Sequence, residues 1–191
     1  MWPINLQGEN ILLRPARFRD KSQWNSVRAE NKEWLTPWEA TLPQVPADTP
    51  ESEFISKGPS FYAMVSAINR EARAGRSYSF LMWKEKNLVG QITMGGVIFG
   101  ALRAAHIGYW IDRNYANQGL TTDAVNTLTR FGFEGLGLHR IEINVRPENA
   151  ASCQVALKAG YHFEGDRPKF LHIAGAWRDH KCFVKVNDLV K

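Results

Sequence analysis

The stretch NYANQGLTTDAV, residues 114–125, constrains the fold more than any other part of the chain. It follows AHIGYWID, in which Ile107, Tyr109 and Ile111 alternate with Gly108, Trp110 and Asp112 like the two faces of a strand. It leads into a segment where Ala124, Leu128 and Phe131 recur at i, i+4 and i+7 with Val125 beside them, the apolar stripe of a helix. A strand running into a helix across one glycine calls for layers, because the strand belongs in a sheet and the helix must pack back on its face. The helix start also has chemical meaning. It exposes about four backbone N–H groups and roughly half a positive charge, so an anion can sit there without a cationic side chain. Gly119 lets a ligand approach the backbone, and Thr121 and Thr122 can add hydroxyl donors, which together suit a phosphate or pyrophosphate. On this stretch alone, Gly119 could equally open an ordinary helix with Thr122 as its N-cap. Neither a Gly-Lys-Ser/Thr phosphate loop nor G-x-G-x-x-G is present, and Gly135-Leu136-Gly137 reads as a helix terminus.

Around this unit the patterning alternates. NILLRPA reads as a strand, Asp20 stands where an N-cap would open a helix reaching about Asn31, and Ser60 precedes Phe61, Met64, Val65 and Ile68 at helical spacing, ending near Gly75. Between them, residues 37–59 hold five of the nine prolines and read as a loop. SYSFLMW and LVGQITMGGVIF are strands joined by a turn at KEKN, and the adjacent Gly95 and Gly96 suggest a bulge. HRIEINV alternates Ile141, Ile143 and Val145 against Glu142 and Asn144; a helix follows over residues 149–159, closed by Gly160. From Tyr161 onward two or three strands turn at AGAW. The order predicts an α/β sheet of mixed direction with helices on its faces, and 191 residues, 44% of them hydrophobic, are enough for one domain spanning residues 1–191.

Composition narrows the function classes. The longest uncharged run, residues 87–102, is 16 residues with four glycines, short and glycine-rich for a membrane span, and the N-terminal residues show no secretory pattern. A soluble protein with no membrane partner is expected. Cys153 and Cys182 fit neither a zinc spacing nor a disulfide framework, so core thiols in a reducing cytoplasm are expected, with no metal. The net charge of +5 is spread along the chain, and no aromatic-and-arginine nucleic-acid motif stands out, which argues against DNA as a partner.

Strand, glycine-initiated helix, HRIEINV and NAASCQVALKAGY together resemble the core of the GCN5-related N-acetyltransferase (GNAT) superfamily over residues 107–161. The resemblance implies a single mixed, mostly antiparallel sheet with a splayed central strand pair, helices on both faces, and acetyl-CoA as cosubstrate. Tyr109, Trp110 and Ile111 would then meet the pantetheine arm. Asn117, Gln118, Gly119, Leu120, Thr121 and Thr122 would hold the pyrophosphate, and Asn149 would contact the cofactor. The family's loop usually reads Gln/Arg-x-x-Gly-x-Gly/Ala; here Ala116 and Thr121 occupy the first and last positions and only the central glycine is kept. The strand glutamate and helix tyrosine that serve as base and acid in one branch correspond to Asn144 and Ala156, neither able to move a proton.

ENKEWLTPWEATLP, residues 30–43, is similar to the Glu-Asn…Leu-x-Pro-Trp-Glu-Pro segment of RimJ-type ribosomal-protein-alanine N-acetyltransferases, with Ala40 for the last proline. GAWRDHKCF resembles their Gly-x-Trp-Arg-Asp-His ending. This similarity implies acetyl transfer to a protein N-terminal amine, the N-terminal alanine of a small-subunit ribosomal protein, by a cytoplasmic monomer or homodimer with possible ribosome association. The alternatives are a GNAT enzyme acting on a small amine or antibiotic, and a non-catalytic ribosome- or RNA-associated scaffold.

The attacking nitrogen must be neutral. An α-amino group of pKa about 7.7 to 8.0 is on the order of 10% to 30% neutral near pH 7.3, a lysine amine about 0.1%, so an N-terminal acceptor tolerates the loss of a glutamate at Asn144 better. Glu142 and Asp112 are candidate proton acceptors, each also readable as an ion-paired or solvent-facing carboxylate; a water relay serves as well. Ser152 matches a serine placed near the coenzyme thiol in RimL-type enzymes, or else bonds backbone in its helical turn. A backbone N–H near Tyr109 to Ile111 could meet the oxyanion. Trp38 and Glu39 would line the acceptor site, or pack in the loop. His139, His180, Trp177, Arg178 and Asp179 read as scaffold.

Overall fold

The computed structural model describes residues 2–43 and 60–189. Eight strands form one sheet: β1 (Leu6–Gln7), β2 (Leu12–Arg14), β3 (Tyr78–Lys84), β4 (Asn87–Ile98), β5 (Ala104–Ile111), β6 (Arg140–Val145), β7 (His162–Ile173) and β8 (Ala176–Val186), in the order β1-β2-β3-β4-β5-β6-β8-β7. Every neighbouring pair is antiparallel except β5 with β6. That parallel pair is short: Ala104↔Arg140, Ala105↔Ile141 and His106↔Glu142 are in register, and the rest of β5 pairs only with β4 while the rest of β6 pairs only with β8. The sheet therefore opens like a V beyond His106, as the resemblance implied.

The helices are α1 (Lys21–Glu30), α2 (Lys32–Leu35), α3 (Phe61–Arg73), α4 (Leu120–Arg130) and α5 (Ala150–Lys158). Strand β3 shows why they occupy both faces. Phe80 and Met82 point into a core shared with Ile92, Ile107, Ile141 and the α4 residues Val125 and Leu128, whereas Leu81 and Trp83 join Phe61 and Val65 of α3 in a second, smaller core. A strand buried on both faces reads as a near-continuous apolar run, which YSFLMW is apart from Ser79. Ser60 caps α3 by accepting from the Ala63 N–H at 3.2 Å, and the Gly95–Gly96 bulge breaks the β4–β5 register.

Several local expectations shift. Asp20 does not cap α1; Phe18–Asp20 form a 3-10 turn, and the Asp20 carboxylate accepts from the Arg17 N–H at 2.7 Å and from both Arg14 terminal nitrogens at 2.8 Å. Helix α4 starts at Leu120 with Gly119 as N-cap, φ 77°, and passes into a π-helical turn, Phe131–Gly135. The expected proline-rich loop of residues 37–59 begins in a 3-10 turn, Thr36–Trp38, that follows directly on α2; residues 44–59 fall outside the described residues. The turn after Tyr161 joins two strands, β7 and β8.

Candidate active site

The sheet's V separates two hollows. On the side of the glycine turn, β5 ends at Ile111, whose carbonyl accepts from Trp34 Nε1 at 3.1 Å. Asp112 then anchors the loop: buried, it accepts from Asn31 Nδ2 and the Asn114 N–H, both at 3.0 Å, while Asn31 Oδ1 takes the Arg113 N–H at 2.8 Å. Asn117 and Gly119 both have positive φ, and a Cβ built on Gly119 would meet nothing within 4 Å. This backbone borders an open hollow of about 520 Å³ that also takes in Gln118, Thr122, Asn126, Arg130 and Lys158. Thr121 and Leu120 are buried, so their side chains are not offered to this hollow. Arg130 and Lys158 come from the far end of α4 and the end of α5. Nothing in the local sequence announces them, since their positions relative to Gly119 follow from helix length and packing.

Inside the V, the Tyr109 hydroxyl lies 2.8 Å from Ser152 Oγ and so joins β5 to α5. Burial pushes the Tyr109 phenol up to about 12, against a smaller opposing effect of the Ser152 hydrogen bond, so it stays protonated at neutral pH. Asn149 caps α5, accepting from the Ser152 N–H at 3.0 Å, which fixes the serine's turn. Asn144 Oδ1, on β6, is buried without a hydrogen-bond partner among the described residues.

The second hollow, about 320 Å³, lies on the α1 side of the sheet and is bordered by Arg28, Trp38, Glu39, Gln91, His106 and Trp110, among others. Its rim is braced from three directions. Glu39 pairs with Arg28, whose guanidinium lies 5.2 Å from the Trp110 ring centroid. Arg146, beyond β6, donates to the Pro37 carbonyl at 2.8 Å and sits 5.3 Å from the Trp38 ring centroid. The chain after Trp38 adds to the β7–β8 hairpin, with Ala40 bridging Ile173, the Thr41 N–H donating to the His172 carbonyl at 2.9 Å, and the Ala174 N–H donating to the Glu39 carbonyl at 3.1 Å. The floor is a polar relay in which Trp24 Nε1 donates to Gln91 Oε1 at 3.4 Å, Gln91 Nε2 donates to Ser79 Oγ at 2.9 Å, and Ser79 lies 2.7 Å from Thr93 Oγ1. Gly108 leaves this wall of β5 bare, for a Cβ there would touch nothing within 4 Å.

Trp38 and Glu39, expected at the acceptor site, and Tyr109 and Trp110, expected at the pantetheine arm, border one hollow, while Glu142 and Asp112 are held elsewhere. Glu142, the register partner of His106 at the point where the V opens, pairs with Arg140 at 2.9 Å and Arg167 at 2.8 Å. Burial would raise its pKa, but the two guanidinium groups outweigh that and hold the carboxyl below its usual range. The same arginines neutralise the one grouping of metal-type ligands among the described residues, Glu142, Glu164 and Cys182. His180 is buried with Nδ1 at 3.0 Å from the Arg178 carbonyl, and His139 Nδ1 is 3.2 Å from the Asn187 carbonyl.

A splayed β5–β6 pair, a glycine turn opening α4 between those strands, and a second hollow across β5 make up the acetyltransferase arrangement that the resemblance implied. The family model described as "Acetyltransferase (GNAT) domain" matches residues 10–162. The chain belongs to this family. It is an acetyl-CoA-dependent acetyltransferase. Among its relatives, the probable N-acetyltransferase YjcK of Bacillus subtilis is 29% identical over 95% of this chain and 97% of its own length. The [ribosomal protein uS5]-alanine N-acetyltransferase of Escherichia coli is 27% identical over 93% and 88%. The solved structure of Mycobacterium smegmatis RimJ in complex with CoA-disulfide superposes with a TM-score of 0.86 at 32% identity, covering 99% of this chain and 90% of that one.

Proposed function

We propose that this chain transfers the acetyl group of acetyl-CoA to a protein N-terminal amine, that of an alanine on a small-subunit ribosomal protein. The observation that carries this reading is the hollow of about 320 Å³ across β5, walled by Trp38 and Glu39, where an extended chain end can reach the V past Gly108. The Escherichia coli relative, a [ribosomal protein uS5]-alanine N-acetyltransferase, and the RimJ structure support this acceptor class.

The fit of the coenzyme rests on this chain's own groups. The backbone of residues 117–122 and the Thr122 hydroxyl would take the pyrophosphate at the helix start; the hollow beside Gln118, Gly119 and Thr122 carries Arg130 and Lys158 together with the carboxylates of Glu9 and Asp123, the latter accepting from the Glu9 and Asn10 N–H groups. Tyr109, Trp110 and Ile111, the part of β5 not paired with β6, would meet the pantetheine arm, with the Ile111 carbonyl already taken by Trp34 Nε1, and Asn149 acts through Ser152, whose helical turn it caps. When bound, the coenzyme supplies an activated acyl group and a thiolate leaving group. Ser152 and Tyr109 orient the thiol end by hydrogen bonding. A phenol pushed up to about 12 does not give its proton to a thiolate of pKa about 8.5, so the pair positions and does not protonate. Glu39, paired with Arg28 through one oxygen, would attract the charged amino terminus with the other. Glu142 and Asp112 are given no part in proton transfer, because their oxygens are engaged by Arg140 and Arg167 and by Asn31 and Asn114.

Thiol release from acetyl-CoA, followed with peptides starting in Ala or Ser, with a peptide whose only amine is an internal Lys, and with polyamines and aminoglycosides, tests the reading. Turnover should be fastest with N-terminal Ala. A free polyamine or aminoglycoside outrunning every peptide would refute it, and saturable coenzyme binding without turnover would mark a scaffold.

A further inference from the structure

One group in the second hollow has no role in the account above. His106 is the last β5 residue in register with β6, so its side chain stands where the V opens, and it borders the hollow with Glu39, Arg28 and Trp110. Its ring is seated on the Gly95–Gly96 bulge of β4. A Cβ added at Gly95 would stand 2.8 Å from His106 Nε2, and one at Gly96 would stand 3.0 Å from both Cε1 and Nδ1. The two glycines are therefore needed for the ring to lie where it does, and Gly96 also takes φ 58°. A bulge that re-aims a side chain beside a strand-end cavity is a recurrent way of placing a functional group.

We propose that His106 accepts the proton that the acceptor amine loses as the new amide bond forms. The assignment rests on the N-acetyltransferase reading above. The amine's lone pair makes the C–N bond to the acetyl carbonyl carbon. The nitrogen, now acidic, passes its proton to the imidazole lone pair, the C–S bond breaks, and its electron pair leaves on the coenzyme sulfur. The imidazolium then returns its proton through water to the thiolate, so amine and thioester become amide and thiol with no other reactant. Although the residue keeps an exposed face, desolvation by the neighbouring protein lowers its pKa from the ordinary histidine value; the Glu142 charge opposes this, and Arg167 adds a smaller push down. Glu142 itself pairs with Arg140 and Arg167, and across the hollow one oxygen of Glu39 is held by Arg28.

The test compares wild type with His106→Gln and Gly95→Ala at saturating acetyl-CoA, with coenzyme affinity followed by calorimetry. Both variants should lose about 100-fold in kcat/KM, the low end for general base catalysis because an α-amine is already partly neutral. Between pH 5 and 8 the logarithm of kcat/KM for wild type should steepen toward a slope of two as both amine and imidazole protonate; His106→Gln should keep a slope of one. In the free enzyme, an NMR titration of the five histidines should place the resonance missing in His106→Gln below the ordinary range. A His106→Gln enzyme with wild-type rate and slope overturns the proposal. If wild type prefers a small amine to every peptide, the protein N-terminus reading fails, and the same slopes measured with that amine still decide the role of His106.

Discussion

Gly119 is the position where the phosphate-turn argument can be broken most cleanly, because two substitutions there act in opposite orders on folding and on binding. Its φ of 77° lies in the left-handed region, where a side chain with a Cβ costs about 1–2 kcal/mol and Asp is tolerated better than Ala. Sterics add nothing to this, since the Cβ would meet no atom within 4 Å. Gly119→Ala should thus be the less stable variant in urea unfolding. Binding should rank the other way. A carboxylate placed about 5 Å from a pyrophosphate charge costs roughly 1–3 kcal/mol at an effective dielectric between that of water and about 20, or roughly 5- to 150-fold in affinity per unit charge. Titration calorimetry with coenzyme A should give a small loss for Gly119→Ala and a loss in that range for Gly119→Asp, shrinking as salt is added. Equal dissociation constants for the two variants would show that no phosphate lies against this turn and that Gly119 serves only to start α4.

Other substitutions probe what holds the site in place. A Cβ at Gly90 would stand 2.3 Å from the Trp110 carbonyl oxygen and 3.2 Å from Ile111 Cα, so Gly90→Ala must displace β5 itself; a loss of about 1–3 kcal/mol in thermal or urea unfolding is expected together with weaker coenzyme binding, and retention of both would contradict the packing. Ser60→Ala removes the acceptor for the Ala63 N–H and should cost about 0.5–2 kcal/mol with coenzyme affinity unchanged. Asp20 is a pH probe. Burial opposes its ionisation, but Arg14 and the Arg17 N–H prevail and lower its folded-state pKa below the unfolded value. The unfolded chain then binds more protons between those two values, so this stabilisation is complete above the unfolded pKa of about 3.9 and is lost as pH falls through the folded one. Asp20→Asn should lower stability at pH 7 and flatten the acid limb of the stability curve; an unchanged acid limb would remove Asp20 from the account.

The parts of the fold that could be read in advance are those whose signal is local and periodic. YSFLMW, HRIEINV and the α3 stripe carry their period in themselves, and Ser60, Asn149 and Gly119 mark helix starts by chemistry confined to three or four residues. Asp20 misled for the same reason. An acidic residue before a helix looks like a cap, and only the fold brings Arg14 beside it as the stronger partner. The short strand β1 and the helix α2 escaped because two and four residues are too few to show a period. Strand order was equally beyond local reading, since β8 inserts between β6 and β7.

The site divides along the same line. Backbone chemistry at Gly119 and the aromatic strand end at Tyr109 to Ile111 were visible because each lies in one continuous stretch. Glu142 was named as a candidate base because it shares a strand face with Asn144, and sequence had no means of showing that Arg167, 25 positions further on, closes over it. The reverse happened at His106. A single histidine in a strand carries no signal, and two glycines 10 and 11 positions earlier read only as a bulge. Antiparallel pairing of β4 with β5 turns those three residues into one seat for an imidazole at the mouth of the V. This also bears on why Asn144 and Ala156 are tolerated. If the acceptor is an α-amine that is partly neutral at the outset, one imidazole of lowered pKa suffices to take the proton as the bond forms, and neither a strand carboxylate nor a helix phenol is required of this chain.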